Sequence, residues 1–164
     1  MAEEIFAFLH LEGIEGEAED SKFKDHLALQ SVGWGATNGS SYAQGTGPTT
    51  QNKGQLHDIS FSKYLCRGSL RLLERAVSGK PIKNGKLSLV KMVGEKKITY
   101  FEVKLENVLV TSLHISAGGG GLLPMESCTI SYVVAKSEYK PQGNEGDASG
   151  KILFGWNVQK NQAC

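Results

Sequence analysis

The chain has 164 residues, 40% of them apolar and 21% charged, with a formal net charge of +1. That length fits one domain over residues 1–164, and the apolar share excludes a chain disordered throughout. Near-neutral charge excludes the basic surplus a nucleic-acid binder uses against phosphates, and no stretch approaches the ~20 apolar residues of a membrane helix.

Taken in chain order, the pattern predicts many short strands and one helix. Ile5 to Leu11 and Leu27 to Trp34 read as strands, joined by the acidic stretch Glu15 to Asp25. Ala36 to Gln55 holds four glycines and many Ser, Thr, Asn and Gln with little to bury, so it predicts a long extended loop. Loops of that length in compact domains tend to be functional, and the expectation is a contact arm that orders against a neighbouring subunit. His57 to Leu65 alternates: Ile59, Phe61 and Leu65 fall on one face, Asp58, Ser60 and Ser62 on the other.

Leu70 to Ser78 predicts a helix. Ser69 is the expected N-cap, and Leu70, Leu73 and Val77, flanked by Leu72 and Ala76, form the stripe expected to pack on the barrel. Gly79 and Pro81 end it. Strands follow at Lys86 to Val93, at Ile98 to Ile115 (one bent strand or two in succession), and at Cys128 to Tyr139. Ile152 to Val158 is the expected final strand, with Ile152, Phe154, Trp156 and Val158 on one face. Leu122 and Leu123 follow the run Gly118 to Gly121 and are expected to be exposed. So many strands without βαβ alternation predict a mainly β fold, an antiparallel two-sheet barrel with one short helix and a long loop.

No motif assigns catalytic, cofactor-binding or metal-ligating residues. There is no G-x-S-x-G elbow. The segment Gly79 to Lys86 is one residue too long for a phosphate loop and has Leu87 where Ser or Thr would hold magnesium. His57 and Asp58 are adjacent on a predicted strand and point to opposite faces. Glu15, Glu17, Glu19 and Asp20 lack EF-hand spacing and read as a solvated acidic turn. Cys66, Cys128 and Cys164 are odd in number and widely spaced, which speaks against a disulfide framework. Glu3 and Glu4 stand where a secretory signal carries Lys or Arg. The expectation is a chain made in the cytoplasm, exported by an unconventional route if at all.

Several strings, in order, resemble the hemolysin-coregulated protein (Hcp) family, the inner-tube subunits of the type VI secretion system. They are Leu11 to Glu17 (LEGIEGE), Trp34-Gly35, Asp58 to Tyr64 (DISFSKY), Ser78-Gly79-Lys80, Leu105 to Ser112 (LENVLVTS), Glu138 to Gln142 (EYKPQ) and Gly155-Trp156-Asn157. DISFSKY is the most specific match, since the family reads Asp-Leu-Ser-Phe-Thr-Lys-Tyr there. The chain departs from the family at Val32-Gly33-Trp34-Gly35, where Trp-Ser-Trp-Gly is frequent.

The resemblance implies a hexameric ring of barrels that stacks into a tube, with a contractile sheath, a spike and small effector proteins as partners. It also implies secretion without a signal peptide, and no enzyme, cofactor, nucleic acid or membrane. On this reading Ser31, Gly33, Asp58, Ser60 and Ser62 face the lumen. Asn38, Ser40, Tyr42, Gln44, Thr46, Thr49 and Gln51 belong to the stacking loop, and Leu122 and Leu123 to an inter-subunit loop. A monomeric β-barrel binding module is the alternative, followed by an enzyme whose site the motifs do not show.

Overall fold

The computed structural model describes residues 5–39, 42–43, 47–48, 54–141 and 150–164. Its strands are β1 (Ile5–Leu11), β2 (Leu27–Leu29), β3 (Ser31–Gly33), β4 (Ala36–Thr37), β5 (Tyr42–Ala43), β6 (Gly47–Pro48), β7 (Gln55–Leu56) and β8 (Ile59–Tyr64). After helix α1 (Ser69–Ser78) come β9 (Ile82–Val93), β10 (Lys96–Ser116), β11 (Met125–Ser131), β12 (Val134–Tyr139), β13 (Ile152–Asn157) and β14 (Gln162–Ala163).

Every strand pair is antiparallel, and the hydrogen-bonded path returns to its start. β1 pairs with β9, β9 with β10, β10 with β11, β11 with β8 and β8 with β3. β3 continues β2, which pairs with β1, and the Gln30 N–H donates to the Ser62 carbonyl (2.8 Å) between them. The result is the expected barrel, built from two sheets. β12, β13 and β14 extend one sheet beyond the barrel wall, from the first half of β10.

Three chain segments pass from one sheet to the other, and each shifts its inward phase by one residue. In β10, Val103 and Leu105 point inward, then Val108 and Val110. The shift falls at Asn107, whose φ of 52° lies in the left-handed region that Asn tolerates better than most residues. Leu27 and Leu29 give way to Val32 and Trp34 across Gln30, and Cys128, Ile130 and Tyr132 give way to Ala135 and Ser137 across Val133. A bend or bulge is how a strand turns a barrel corner while keeping its apolar side chains inside. The segment left open as one bent strand or two is therefore one strand.

Leu9, Leu27, Ile59, Phe61, Leu87 and Ile130 lie in the main core. A smaller cluster forms on the outer side of β1 and β9, where Phe23 stacks on Phe8 (centroids 4.6 Å apart, 3° between planes) beside Val90. The acidic stretch thus does more than solvate a turn, since it straps this outer cluster down. Asp20 pairs with Lys97, and Arg67 donates to the Gly16 carbonyl (2.9 Å) and to Asp25 (2.7 Å). Gly16 runs so close to the neighbouring backbone that a Cβ would sit 2.3 Å from the His26 carbonyl oxygen, so only glycine fits.

The helix departs from expectation. Leu72 is fully buried, while Leu70 and Val77 are 71% and 83% exposed and Leu73 is also exposed. The stripe assigned to the barrel therefore faces outward, because α1 rests on the barrel through Ser69, Leu72 and Ala76. Gly68 holds the N-cap place, and no side chain caps the helix there. The Ser69 hydroxyl instead accepts from the Cys66 N–H (3.0 Å). Gly79 ends the helix as expected, in the left-handed conformation with its N–H donating to the Arg75 carbonyl (3.1 Å).

Candidate functional site

Period-two alternation in four neighbouring strands builds one exposed face from small hydroxyl residues. Ser31 on β3 is the Cα partner of Ser62 on β8, which partners Ser127 on β11, which partners His114 on β10. The next row reads Gly33, Ser60, Thr129 and Ser112. Paired residues of an antiparallel sheet share a face, and the opposite face carries Ile59, Phe61, Cys128 and Ile130 in the core. The Ser31 and Ser62 hydroxyls are hydrogen-bonded across the strands at 2.5 Å. A Cβ on Gly33 would meet no atom within 4 Å, so this glycine leaves a shallow gap in the carpet.

Four of the five residues singled out in the sequence, Ser31, Gly33, Ser60 and Ser62, thus meet on one sheet face. Asp58 is exposed just before β8. The sequence reading missed Ser112, Ser127 and Thr129. The signal was present, since Ser127, Thr129 and Ser131 alternate in β11 as Ser60 and Ser62 do in β8. The face carries neither Lys nor Arg on these strands, so it offers hydrogen bonds without a strong field. Among the described residues, no group of three or more His, Cys, Asp or Glu is placed to hold a metal ion.

The long loop leaves the barrel beside this face from a fixed root. β4 pairs with β7, and the Trp34 indole N–H donates to the Tyr132 hydroxyl (2.6 Å), which donates to the His57 carbonyl (2.6 Å). Burial, the largest influence on it, pushes the Tyr132 phenol up to about 12, so it stays a donor. Thr37 bonds His57 Nε2 at 2.9 Å. Of the loop residues singled out, Asn38 is exposed just beyond this root, and Tyr42 lies in β5, paired with β6. Ser40, Gln44, Thr46, Thr49 and Gln51 lie outside the described residues.

Two apolar surfaces complete the picture. Leu122 and Leu123 are 72% and 67% exposed and line a surface concavity with Tyr64 and Met125. At the other end of the β11–β12 path, Ile152, Leu153 and Phe154 of β13 are all exposed, with Tyr139 beside them. Ile152, Phe154 and Trp156 fall on one face of β13, as the alternation predicts. Phe154 stacks beside Trp156 (6.4 Å) and meets Trp34 edge-on (6.3 Å), yet it stays partly in solvent. A further strand, β14, follows where none was expected, pairing with Trp156 and Asn157.

Residues 8–139 match the family model described as type VI secretion system effector, Hcp. The chain is 31% identical over 110 residues to protein Hcp1 of Pseudomonas aeruginosa, covering 66% of this chain and 68% of that one. A solved structure of a type six secretion system protein superposes with a TM-score of 0.89 at 28% identity, covering 98% of this chain and 100% of the other. Hcp1 from Salmonella typhimurium superposes with a TM-score of 0.80 at 25% identity, covering 98% and 99%.

Proposed function

The chain belongs to the Hcp family of type VI secretion proteins, and from that premise we propose that it is a ring-forming subunit of the secretion tube. Six copies close head to tail around a pore, rings stack through the long loop, and the hydroxyl face lines the lumen. The tube runs inside a contractile sheath behind a spike and carries small effector proteins. The protein acts without catalysis, as one domain over residues 1–164, and leaves the cytoplasm through the machine itself.

One observation carries this reading. Two different apolar surfaces, Leu122–Leu123 and Ile152–Phe154, sit at the two ends of the Met125 to Tyr139 path, which has a contour of roughly 45 Å at the rise of an extended strand. A monomer gains nothing by exposing both. Unlike surfaces at opposite ends make heterologous contacts, which close into rings when the rotation permits. The lumen assignment rests on the hydroxyl face, whose lack of Lys and Arg lets varied polar surfaces pass without strong electrostatic capture.

Light scattering of the purified protein over a concentration series tests the ring. A mass of six protomers at high concentration is expected, with stacked rings by electron microscopy. A protomer mass throughout, with no rings or tubes at any concentration, overturns the proposal in favour of a monomeric binding module.

A further inference from the structure

Where β8 runs into α1, four chemistry-bearing side chains meet around one buried ammonium. Lys63 Nζ is ion-paired with Glu126 Oε1 on the neighbouring strand, and both side chains are almost wholly buried, at 1% and 0% exposure. The same nitrogen lies 3.1 Å from Ser69 Oγ, 3.2 Å from Cys66 Sγ and 3.3 Å from the Tyr64 carbonyl oxygen. The Ser69 hydroxyl accepts from Lys63 and from the Cys66 N–H, which leaves its proton directed at Cys66 Sγ, 3.9 Å away. Two donors therefore converge on the sulfur, an arrangement a thiolate accepts far better than a thiol.

The charge balance of this cluster is unusual. It holds one cation and two acids, Glu126 and Cys66. Both Glu126 oxygens are buried without a hydrogen-bond partner, so the Lys63 ion pair is what satisfies the carboxylate as an anion. The ammonium that Glu126 balances is thus the same group that faces Cys66 Sγ. Cys66 is half-buried at the edge of the core, whereas Cys128 is sealed inside it, where burial first and the nearby Glu126 second push its thiol up to about 12. The three cysteines thus divide into one sealed in the core, one exposed at position 164 and one in contact with a buried ammonium.

We propose that Cys66 is a reactive thiol, a site of oxidative or electrophilic modification held in readiness by Lys63 and restrained by Glu126. With hydrogen peroxide as oxidant, the sulfur attacks one peroxide oxygen. An S–O bond forms, the O–O bond breaks, and hydroxide leaves and takes up a proton to become water. The sulfur is oxidised to sulfenic acid and the peroxide reduced. The added oxygen enters the turn that seats α1, so the product loosens the Lys63–Ser69 contact at the start of the helix.

The test treats folded protein with limiting peroxide and traps sulfenic acid with dimedone. Peptide mass spectrometry then reads Cys66 against Cys164 as an internal exposed thiol. Glu126→Gln removes the competing acid and is expected to raise the Cys66 rate severalfold with Cys164 unchanged. The paired apolar replacement Lys63→Met/Glu126→Leu leaves no unpaired buried charge, so it should fold, and it is expected to lower the Cys66 rate about tenfold. A Cys66 rate that fails to rise in Glu126→Gln, or one that stays at the wild-type value in the double variant, overturns the proposal. Should Glu126→Gln fail to fold, the double variant decides alone.

Discussion

Among individual residues, position relative to a sheet face decides each contribution. Phe61, 3% exposed, projects from β8 into the main core between Cys128 on β11 and Val32 on β3. Phe61→Ala leaves a cavity the barrel wall cannot collapse into, and the expected cost is about 3–5 kcal/mol by urea denaturation; a loss below 1 kcal/mol would place the ring outside the core. His10 illustrates a surface effect. Its ring lies 5.2 Å from that of His26, and burial first, then the charge of His26, hold its imidazole below the usual range, with Glu12 opposing and Lys86 adding to the shift. The folded chain then binds fewer protons than the unfolded one, so this share of stability is full above the unfolded value of about 6.5 and falls as pH drops below it. His10→Gln is expected to show a shallower decline in melting temperature between about pH 7 and pH 5 than the wild type. Equal slopes would refute the assignment.

Among elements, the strands that change sheets carry the architecture. β10 serves both sheets because Asn107 shifts its inward phase by one residue at the corner. Asn107→Gly is expected to be tolerated, whereas Asn107→Val forces a branched side chain into the left-handed region at a cost of about 1–3 kcal/mol, measured by thermal melting. Equal melts for the two variants would mean that the corner does not depend on that conformation. The α1 assignment shows how an amphipathic pattern misleads in a short helix. Leu70, Leu73 and Val77 form a good stripe, yet the barrel takes Leu72 and Ala76 beside it. Which of two adjacent apolar stripes is buried depends on where the helix enters, here fixed by the Cys66–Ser69 turn, and no periodicity encodes that.

For the whole molecule, the exposed apolar surfaces at the two ends of the β11–β12 path make a prediction that separates folding from association. Leu122→Lys/Leu123→Lys places charge on a surface the protomer already leaves in water, so protomer stability is expected to stay within about 0.5 kcal/mol. Assembly by light scattering is expected to be lost. A ring that still forms would move the seam elsewhere, and a chain that no longer folds would show the loop to be part of the core.

The sequence alone determined the fold class, the bounds of β1, the end of the helix and the family, because each rests on local chemistry or on contiguous strings of residues. Ser60 and Ser62 were legible as an exposed pair for the same reason, since alternation within one strand is a local signal. Tertiary structure alone decided that Ser31, Ser62, Ser127 and His114 form one row, because register between strands far apart in the chain is set by packing of the opposite face. It also decided that Lys63, rather than Leu65, takes the third inward place on β8, since Glu126 waits on the partner strand to meet its charge. A buried cation follows from the chemistry of its partner, and that partner lies 63 residues away.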